Sequence, residues 1–401
     1  MSRKFMSGDR AVAEGAKLSG IQVMAAYPIT PQTDIVETLY NSISNHELNA
    51  YAIPVESEHS AMSACVGAAS VGARAFTASS SQGLALMHEC LFLASGLRLP
   101  IVMAVANRAL SQPVSIMCDH GDSLAQRDTG WLQFYVENCQ EALDTIPIAY
   151  KVAEDERVLL PAMVCLDGFF LSHLSEPVEI PAKADVEKLL PPLNPHYPTL
   201  SLEKPIVLGV MPYPPYHNEF QYDKHFCLEN SGTVVREVFE LFENAFGRKY
   251  DLIETHYADD AEILIVGMGS MMGTVRHVVN QLRQAGEKVG MVRIKMYRPF
   301  PFNELAEVAG KASVVAVLDR DNSTGTGGIL YSDVLRSLYH LADHPPIVNF
   351  ILGLGGRDVS PLTISKVISE SRKVKKAKMH GKETFWPDAD TNTLKAWGIC
   401  E

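Results

Sequence analysis

Apolar positions in the first 185 residues alternate between two spacings, and the alternation predicts helices and strands in turn. Residues 9–19 carry helical spacing and stop at Gly20. Val23–Ala26 is a short apolar run that reads as a buried strand. Over 32–45, Ile35, Leu39 and Ile43 fall on one helical face. Residues 59–71 are rich in Ala, Ser and Gly, which suits a helix packed closely against its neighbours. Strands are expected at 74–78, 100–106 and 158–166, with a helix over 82–96. Strands alternating with helices predict an α/β domain with a mainly parallel sheet. In such a sheet, functional loops sit at the carboxyl ends of the strands.

The pattern changes from about residue 177. Prolines cluster at Pro177, Pro181, Pro191, Pro192, Pro195 and Pro198, and again at Pro212, Pro214 and Pro215. This predicts an extended connector over 186–258 that holds one helix near 229–246. A second α/β unit is expected over 259–372, with strands at 263–267, 289–294, 314–318 and 347–352. The tail, 373–401, continues a basic run of Arg372, Lys373, Lys375, Lys376 and Lys378, a composition usual for a solvated face. The length of 401 residues agrees with two to three domains at about 150 residues each.

Composition narrows the function classes. Hydrophobic residues make up 47% of the chain, which excludes disorder for most of it. No apolar run approaches the roughly 20 residues of a membrane span. The first residues lack an apolar signal core, so a cytoplasmic protein is expected. A net charge of -12 is poorly suited to a nucleic-acid backbone. The cysteines are Cys65, Cys90, Cys118, Cys139, Cys165, Cys227 and Cys400, with no C-x-x-C pair. Their scatter argues against disulfides and against an iron–sulfur cluster held by this chain alone. The H-x-x-x-H spacing occurs once, at His340 and His344, with Pro345 and Pro346 directly after it rather than a continuing helix, and no metal site is expected.

Four loops follow expected strands. The first is Tyr-Pro-Ile-Thr-Pro-Gln-Thr, 27–33, in which Pro28 and Pro31 bracket Ile29 and Thr30 and restrict the backbone. The second, 55–61, puts Glu56 and Glu58 at the start of the small-residue helix. There they either complement the helix dipole or turn one carboxylate into a cleft. The third, 77–84, places Ser81 and Gln82 at a strand-to-helix turn, as a cap or a polar-ligand contact. The fourth, 107–131, holds Arg108, Asp119, His120, Asp122, Arg127 and Asp128. So many charges in one long loop need solvent, one another or a ligand.

As an ordered set these segments resemble the alpha subunit of the 2-oxoacid:ferredoxin oxidoreductases. The resemblance rests on YPIT-P, S-E-H-S-A, T-A-S-S-S-Q-G-L, the N-R-A-L loop with D-H-G-D and R-D-T-G-W, and C-L-D-G-F at 165–169. It continues through VGMGS at 266–270, YRPFP at 297–301, VLDR at 317–320 and GLGGRD at 353–358, and so spans nearly the whole chain. It implies a thiamine-pyrimidine-binding domain over 1–185 and a transketolase C-terminal-like α/β domain over 259–372.

The resemblance also implies chemistry. Such enzymes oxidatively decarboxylate a 2-oxoacid to an acyl-coenzyme A, using thiamine diphosphate and passing electrons through iron–sulfur clusters to ferredoxin or a similar acceptor. By alignment Glu58 takes the carboxyl role at the aminopyrimidine, with Glu56 as the competing assignment. Pro28, Ile29, Ser81 and Gln82 fall at cofactor-lining positions. Thr30 and Arg108 match positions that hold the substrate oxygens, and Arg is suited to grip a carboxylate. Its bland alternative is an ion pair with Asp119 or Asp122. Tyr27, Met117, Cys118 and Asp119 complete the expected substrate side. Met117 and Cys118 stand where an aromatic or small pair is expected, so they either enlarge the acyl pocket, as for phenylglyoxylate, or are neutral packing. Pyruvate remains the base-rate substrate.

No G-D-G occurs in the chain, so a beta subunit is expected to hold the magnesium and diphosphate, with gamma and cluster-bearing delta-type subunits as further partners. VGMGS lacks the third glycine of a dinucleotide fingerprint, which argues against NAD binding here. A non-catalytic scaffold subunit is the rival reading.

Overall fold

The computed structural model describes residues 2–111, 113–377 and 384–399. In chain order the strands are β1 Ser2–Ser7, β2 Val23–Ala26, β3 Tyr51–Pro54, β4 Ala75–Ser79, β5 Val102–Asn107, β6 Leu132–Tyr135, β7 Ala162–Asp167, β8 Ser175–Ile180, β9 Ile253–His256, β10 Ile263–Gly267, β11 Val289–Ile294, β12 Met296–Arg298, β13 Val314–Asp319, β14 Ile347–Ile351 and β15 Thr384–Phe385. The helices are α1 Gly8–Leu18, α2 Thr33–Ser44, α3 Glu58–Ser70, α4 Ser81–Leu86, α5 His88–Gly96, α6 Gly121–Leu124, α7 Cys139–Ala153, α8 Lys183–Leu189, α9 His217–Phe246, α10 Met271–Gln284, α11 Phe302–Ala309, α12 Ile329–Leu338, α13 Pro361–Ala377 and α14 Thr391–Ala396. They form two compact units, one of residues 1–254 with 294–301, the other of 255–293 with 302–401.

The first unit is built on a seven-stranded sheet in the order β12-β6-β7-β5-β4-β2-β3. All its neighbours pair in parallel except β12, which runs antiparallel to β6. Strands β4, β5, β6 and β7 are buried at every position, as expected for a sheet covered on both faces. Connections leave β2 toward β3 on one side and return to β4 on the other, so the strand order reverses between β2 and β4. Open α/β sheets bind ligands at that reversal, beyond the carboxyl ends of the strands. The periodic elements expected before residue 170 form close to their expected limits, with two differences. The helix expected over 82–96 breaks at Met87 into α4 and α5, and the strand expected from 158 starts only at Ala162. The helix expected near 229–246 begins at His217, directly after the second proline cluster.

Arg74 fastens the sheet to its surroundings. Its Nε and Nη2 donate to the two carboxylate oxygens of Glu154 at 2.6 and 2.8 Å, and its Nη1 and Nη2 reach the carbonyls of Ser19 and Pro191. Arg74 is buried and Glu154 nearly so.

In the second unit β15, β14, β13, β10 and β11 run parallel in that order. The Asp of VLDR, Asp319, is buried at the end of β13. It accepts hydrogen bonds from Leu330 N, Tyr331 N and Asn349 Nδ2 at 2.8, 3.2 and 2.7 Å, which caps the first turn of α12. Three residues of the basic run are paired, Arg372 with Glu287, Lys373 with Glu370 and Lys375 with Glu262, and Lys376 is exposed. Lys378 and Cys400 lie outside the described residues. No described helix is long and apolar enough to cross a membrane.

Candidate active site

The four loops singled out above follow β2, β3, β4 and β5, and gather at the carboxyl end of the first sheet. Glu58 and Glu56 separate sharply. Ser57 caps α3, its hydroxyl accepting from Ser60 N at 3.2 Å. That sets Glu58 as the first helical residue and turns it inward, only 6% exposed. Glu56, outside the helix, is exposed and accepts a hydrogen bond from the Ser60 hydroxyl, which holds its carboxyl below the usual carboxylate range.

The inward Glu58 carboxylate occupies a notch over Gly83 in α4. A methyl group on Gly83 would lie 2.3 Å from Glu58 Oε1 and 2.7 Å from its Cδ. Among the described residues the Glu58 carboxylate has no hydrogen-bond partner. A largely buried carboxylate without one is open to a ligand that can share or donate a proton.

Arg108 lies across the strand-order reversal. Its Nε donates to Ser115 O and its Nη1 to Thr30 O, each at 2.9 Å. Thr30 is therefore beside Arg108 through its carbonyl, which ties the loop after β2 to the loop after β5. No ion pair links the Arg108 guanidinium to Asp119 or Asp122. Asp119 caps Gly121 N at 2.7 Å, and Asp122 receives the Arg108 main-chain N–H instead. Among the described residues, none hydrogen-bonds Nη2 of the half-buried guanidinium. Tyr27, Pro28 and Thr30 are exposed and Ile29 half-buried, and Gln32 Nε2 braces the loop on Tyr27 O at 2.8 Å.

Ser81 is buried in the left-handed region, with φ of 49°. Its hydroxyl donates to Ala109 O, and Gln82 Nε2 donates to Ser111 Oγ at 2.7 Å. The loop after β4 is thus stitched to the loop after β5. Met117 and Cys118 part company: Met117 is 41% exposed and Cys118 is fully buried. Cys118 groups with His120 and Asp167, whose ligand atoms all lie within 4.8 Å of one another. His120 Nε2 meets Asp167 Oδ1 at 2.7 Å. That grouping is produced by topology, because Asp167 ends β7 while the other two lie in the loop after β5.

Two contributors were not singled out by sequence reasoning, Gly83 and Asn107, and Asp122 was named only as a charge of its loop and a possible ion-pair partner of Arg108. Gly83 carried a signal, since a glycine in a first helical turn suggests close approach. Asn107 and Asp122 carried none beyond their place in a charged loop.

Comparison with known proteins agrees with this geometry. A family model described as "Pyruvate flavodoxin/ferredoxin oxidoreductase, thiamine diP-bdg" matches residues 14–240. A second, "Pyruvate:ferredoxin oxidoreductase core domain II", matches residues 261–364. The chain is an alpha-type subunit of the 2-oxoacid:ferredoxin oxidoreductase family.

It is 50% identical to pyruvate synthase subunit PorA of Pyrococcus furiosus over 89% of this chain and 90% of that one. It is 47% identical to ketoisovalerate oxidoreductase subunit VorA of the same organism, over 96% and 97%. Among solved structures, 2-oxoglutarate:ferredoxin oxidoreductase from Magnetococcus marinus shares the fold at TM-score 0.71 and 20% identity, over 92% of this chain and 65% of that one. A split-gene transketolase, an inactive beta4 tetramer, shares it at TM-score 0.54 and 11% identity, over 93% of this chain and all of the other. The expected α/β thiamine-binding fold is therefore the observed one.

Proposed function

We propose that this chain supplies the pyrimidine-facing half of a thiamine diphosphate site in a multi-subunit enzyme that converts a 2-oxoacid, pyruvate in first place, to its acyl-coenzyme A. The observation that carries this reading is the Glu58 carboxylate, buried over Gly83 at the strand-order reversal with no hydrogen-bond partner among the described residues. That placement fits the cofactor, because a ring nitrogen there would complete the hydrogen bonding the carboxylate lacks. When bound, thiamine diphosphate supplies a carbon nucleophile and an electron sink for decarboxylation. Glu58 holds and returns a proton at pyrimidine N1′, the residue's whole contribution to that chemistry. Pro28, Ile29, Ser81 and Gln82 shape the walls on either side.

On the substrate side, the free Nη2 edge of Arg108 receives the 2-oxoacid carboxylate, while Ser115 O and Thr30 O fix the guanidinium plane. The Thr30 hydroxyl and Tyr27 complete the oxygen contacts. Met117 faces the acyl group and Cys118 supports it from beneath, with Asp119 fixing the turn that follows. A beta subunit supplies magnesium and diphosphate binding. Gamma and delta-type subunits carry coenzyme A chemistry and iron–sulfur clusters toward a ferredoxin-like acceptor, in a cytoplasmic setting.

The test is acceptor reduction by the intact complex with coenzyme A and thiamine diphosphate, on pyruvate, 2-oxoisovalerate, 2-oxoglutarate, phenylglyoxylate and oxalate. Pyruvate is expected to give the highest kcat/KM. A preference for phenylglyoxylate would assign the exposed Met117 to an enlarged pocket. No turnover of any acid would make the chain a scaffold.

A further inference from the structure

The cofactor side and the substrate side of the site meet on one carboxylate, that of Asp122. It is fully buried and accepts from four donors. Oδ2 takes Ser81 N at 2.9 Å and Arg108 N at 3.0 Å, while Oδ1 takes Asn107 Nδ2 at 2.7 Å and Ser123 N at 2.8 Å. Three of these are main-chain N–H groups, which can only donate.

The two donors on Oδ2 have distinct duties. Ser81 opens α4 in a left-handed backbone conformation that a serine adopts only when its surroundings hold it there. Two residues later stands Gly83, the notch for Glu58. Arg108 begins the loop whose guanidinium reaches Thr30 and Ser115. Asn107 ends β5 and also donates to Ser123 Oγ at 2.6 Å, and Ser123 Oγ in turn pairs with the buried Tyr135 hydroxyl at 2.7 Å. The clamp is therefore anchored on the sheet itself, through Asn107 at the end of β5 and Tyr135 of β6.

Resting on the functional reading above, we infer that Asp122 is a positioning residue: its Oδ2 registers the Glu58 notch against the Arg108 arm. It touches neither cofactor nor substrate. Its effect is on the distance between the two groups that do.

The variants D122A and D122N separate this role from a merely structural one. D122A removes both acceptor oxygens and with them all four hydrogen bonds. In D122N the new amide oxygen can still accept from Ser81 N and Arg108 N, and the mismatch is confined to the Oδ1 side, where Ser123 N loses its acceptor and Asn107 turns its own oxygen inward at the expense of its donation to Ser123 Oγ. In the assembled complex, D122A is expected to lower kcat/KM for the 2-oxoacid at least thirtyfold with the KM for coenzyme A unchanged within twofold. D122N is expected to recover at least a third of the wild-type kcat/KM. Hydrogen exchange at the amides of Ser81 and Arg108 should accelerate in D122A and stay near wild type in D122N.

An assembled D122A complex within twofold of wild type would overturn the inference, and so would a D122N complex as impaired as D122A. If D122A does not assemble, D122N decides: a loss beyond a hundredfold in a natively assembled complex overturns the clamp, and retention with protected Ser81 and Arg108 amides supports it. A wild-type complex that oxidises no 2-oxoacid would defeat the functional reading alone, because the exchange comparison still reports on the clamp.

Discussion

Gly83→Ala tests the placement of Glu58 without touching its chemistry. A β-carbon at position 83 would stand 2.3 Å from Glu58 Oε1, where ordinary contact begins at 3.4 Å. The carboxylate must therefore withdraw by about 1 Å, a displacement that costs on the order of a hundredfold in rate when it misplaces a reacting group. The fold should barely notice. The atoms in the way are the end of a flexible side chain, Gly83 has an ordinary helical backbone, and Ala is favoured over Gly in a helix by about 1 kcal/mol. The expected result is a melting temperature equal to or above wild type, with kcat on the preferred 2-oxoacid reduced about a hundredfold. The assay is steady-state acceptor reduction by the assembled complex beside calorimetry of the same preparation. Activity within twofold of wild type would refute the reasoning, since Glu58 would then work equally well from a displaced position. A large loss of melting temperature would refute the claim that the notch is functional space.

Three further outcomes follow from the same geometry. Arg108→Lys keeps the charge but loses the two-point hold on Ser115 O and Thr30 O, so kcat/KM for the 2-oxoacid should fall by at least about tenfold, and steady-state kinetics on the complex will read it. Burial pushes the Asp122 carboxyl up to about 6, against the pull of its four donors. As pH falls through that value an acceptor oxygen becomes a donor, so 2-oxoacid turnover should drop on the acid side. Its neighbours Tyr135 and Cys165 have their pKa values raised by burial and stay neutral across that window. The stability contribution of Asp122 runs the other way: its folded pKa lies above the ordinary 3.8, so the contribution is greatest below about pH 4 and is lost as pH rises through 6. A pH–rate profile flat down to pH 5 would count against it. Finally, Arg74→Ala leaves the Glu154 carboxylate buried without its partner and should cost about 3–5 kcal/mol, seen as a lowered melting temperature with no change in KM.

Much of this arrangement was legible before any coordinates. Helical spacing gave α1 to α3 and short apolar runs gave β2, β4 and β5, because the helices bury one face and these strands lie inside a covered sheet, so local pattern and tertiary environment agree. β1 and β8 were not legible, because their pairing joins Ser2 to Ile180 across the whole first unit, and no local spacing encodes it. At the site, Glu58 and Glu56 look alike in sequence. The Ser57 cap decides between them by fixing which residue enters the helix. Arg108 was visible as a charge, but its hold on two main-chain carbonyls was not. Cys118 was read with Met117 as one feature, and an alternation of burial splits them. Asp122 stayed hidden longest, since its four partners are mostly main-chain N–H groups that leave no mark on the sequence.

The central claim is that the buried Glu58 carboxylate, not Glu56, serves the cofactor. Glu58→Gln keeps the shape and removes the acid–base group, and Glu56→Gln is its solvent-facing control. Thiamine diphosphate-dependent decarboxylation of the preferred 2-oxoacid by the two assembled complexes, at saturating cofactor, measures the claim directly. E58Q is expected to lose at least about a hundredfold in kcat, with E56Q within twofold of wild type. Full turnover by E58Q, or an equal loss in E56Q, would contradict it.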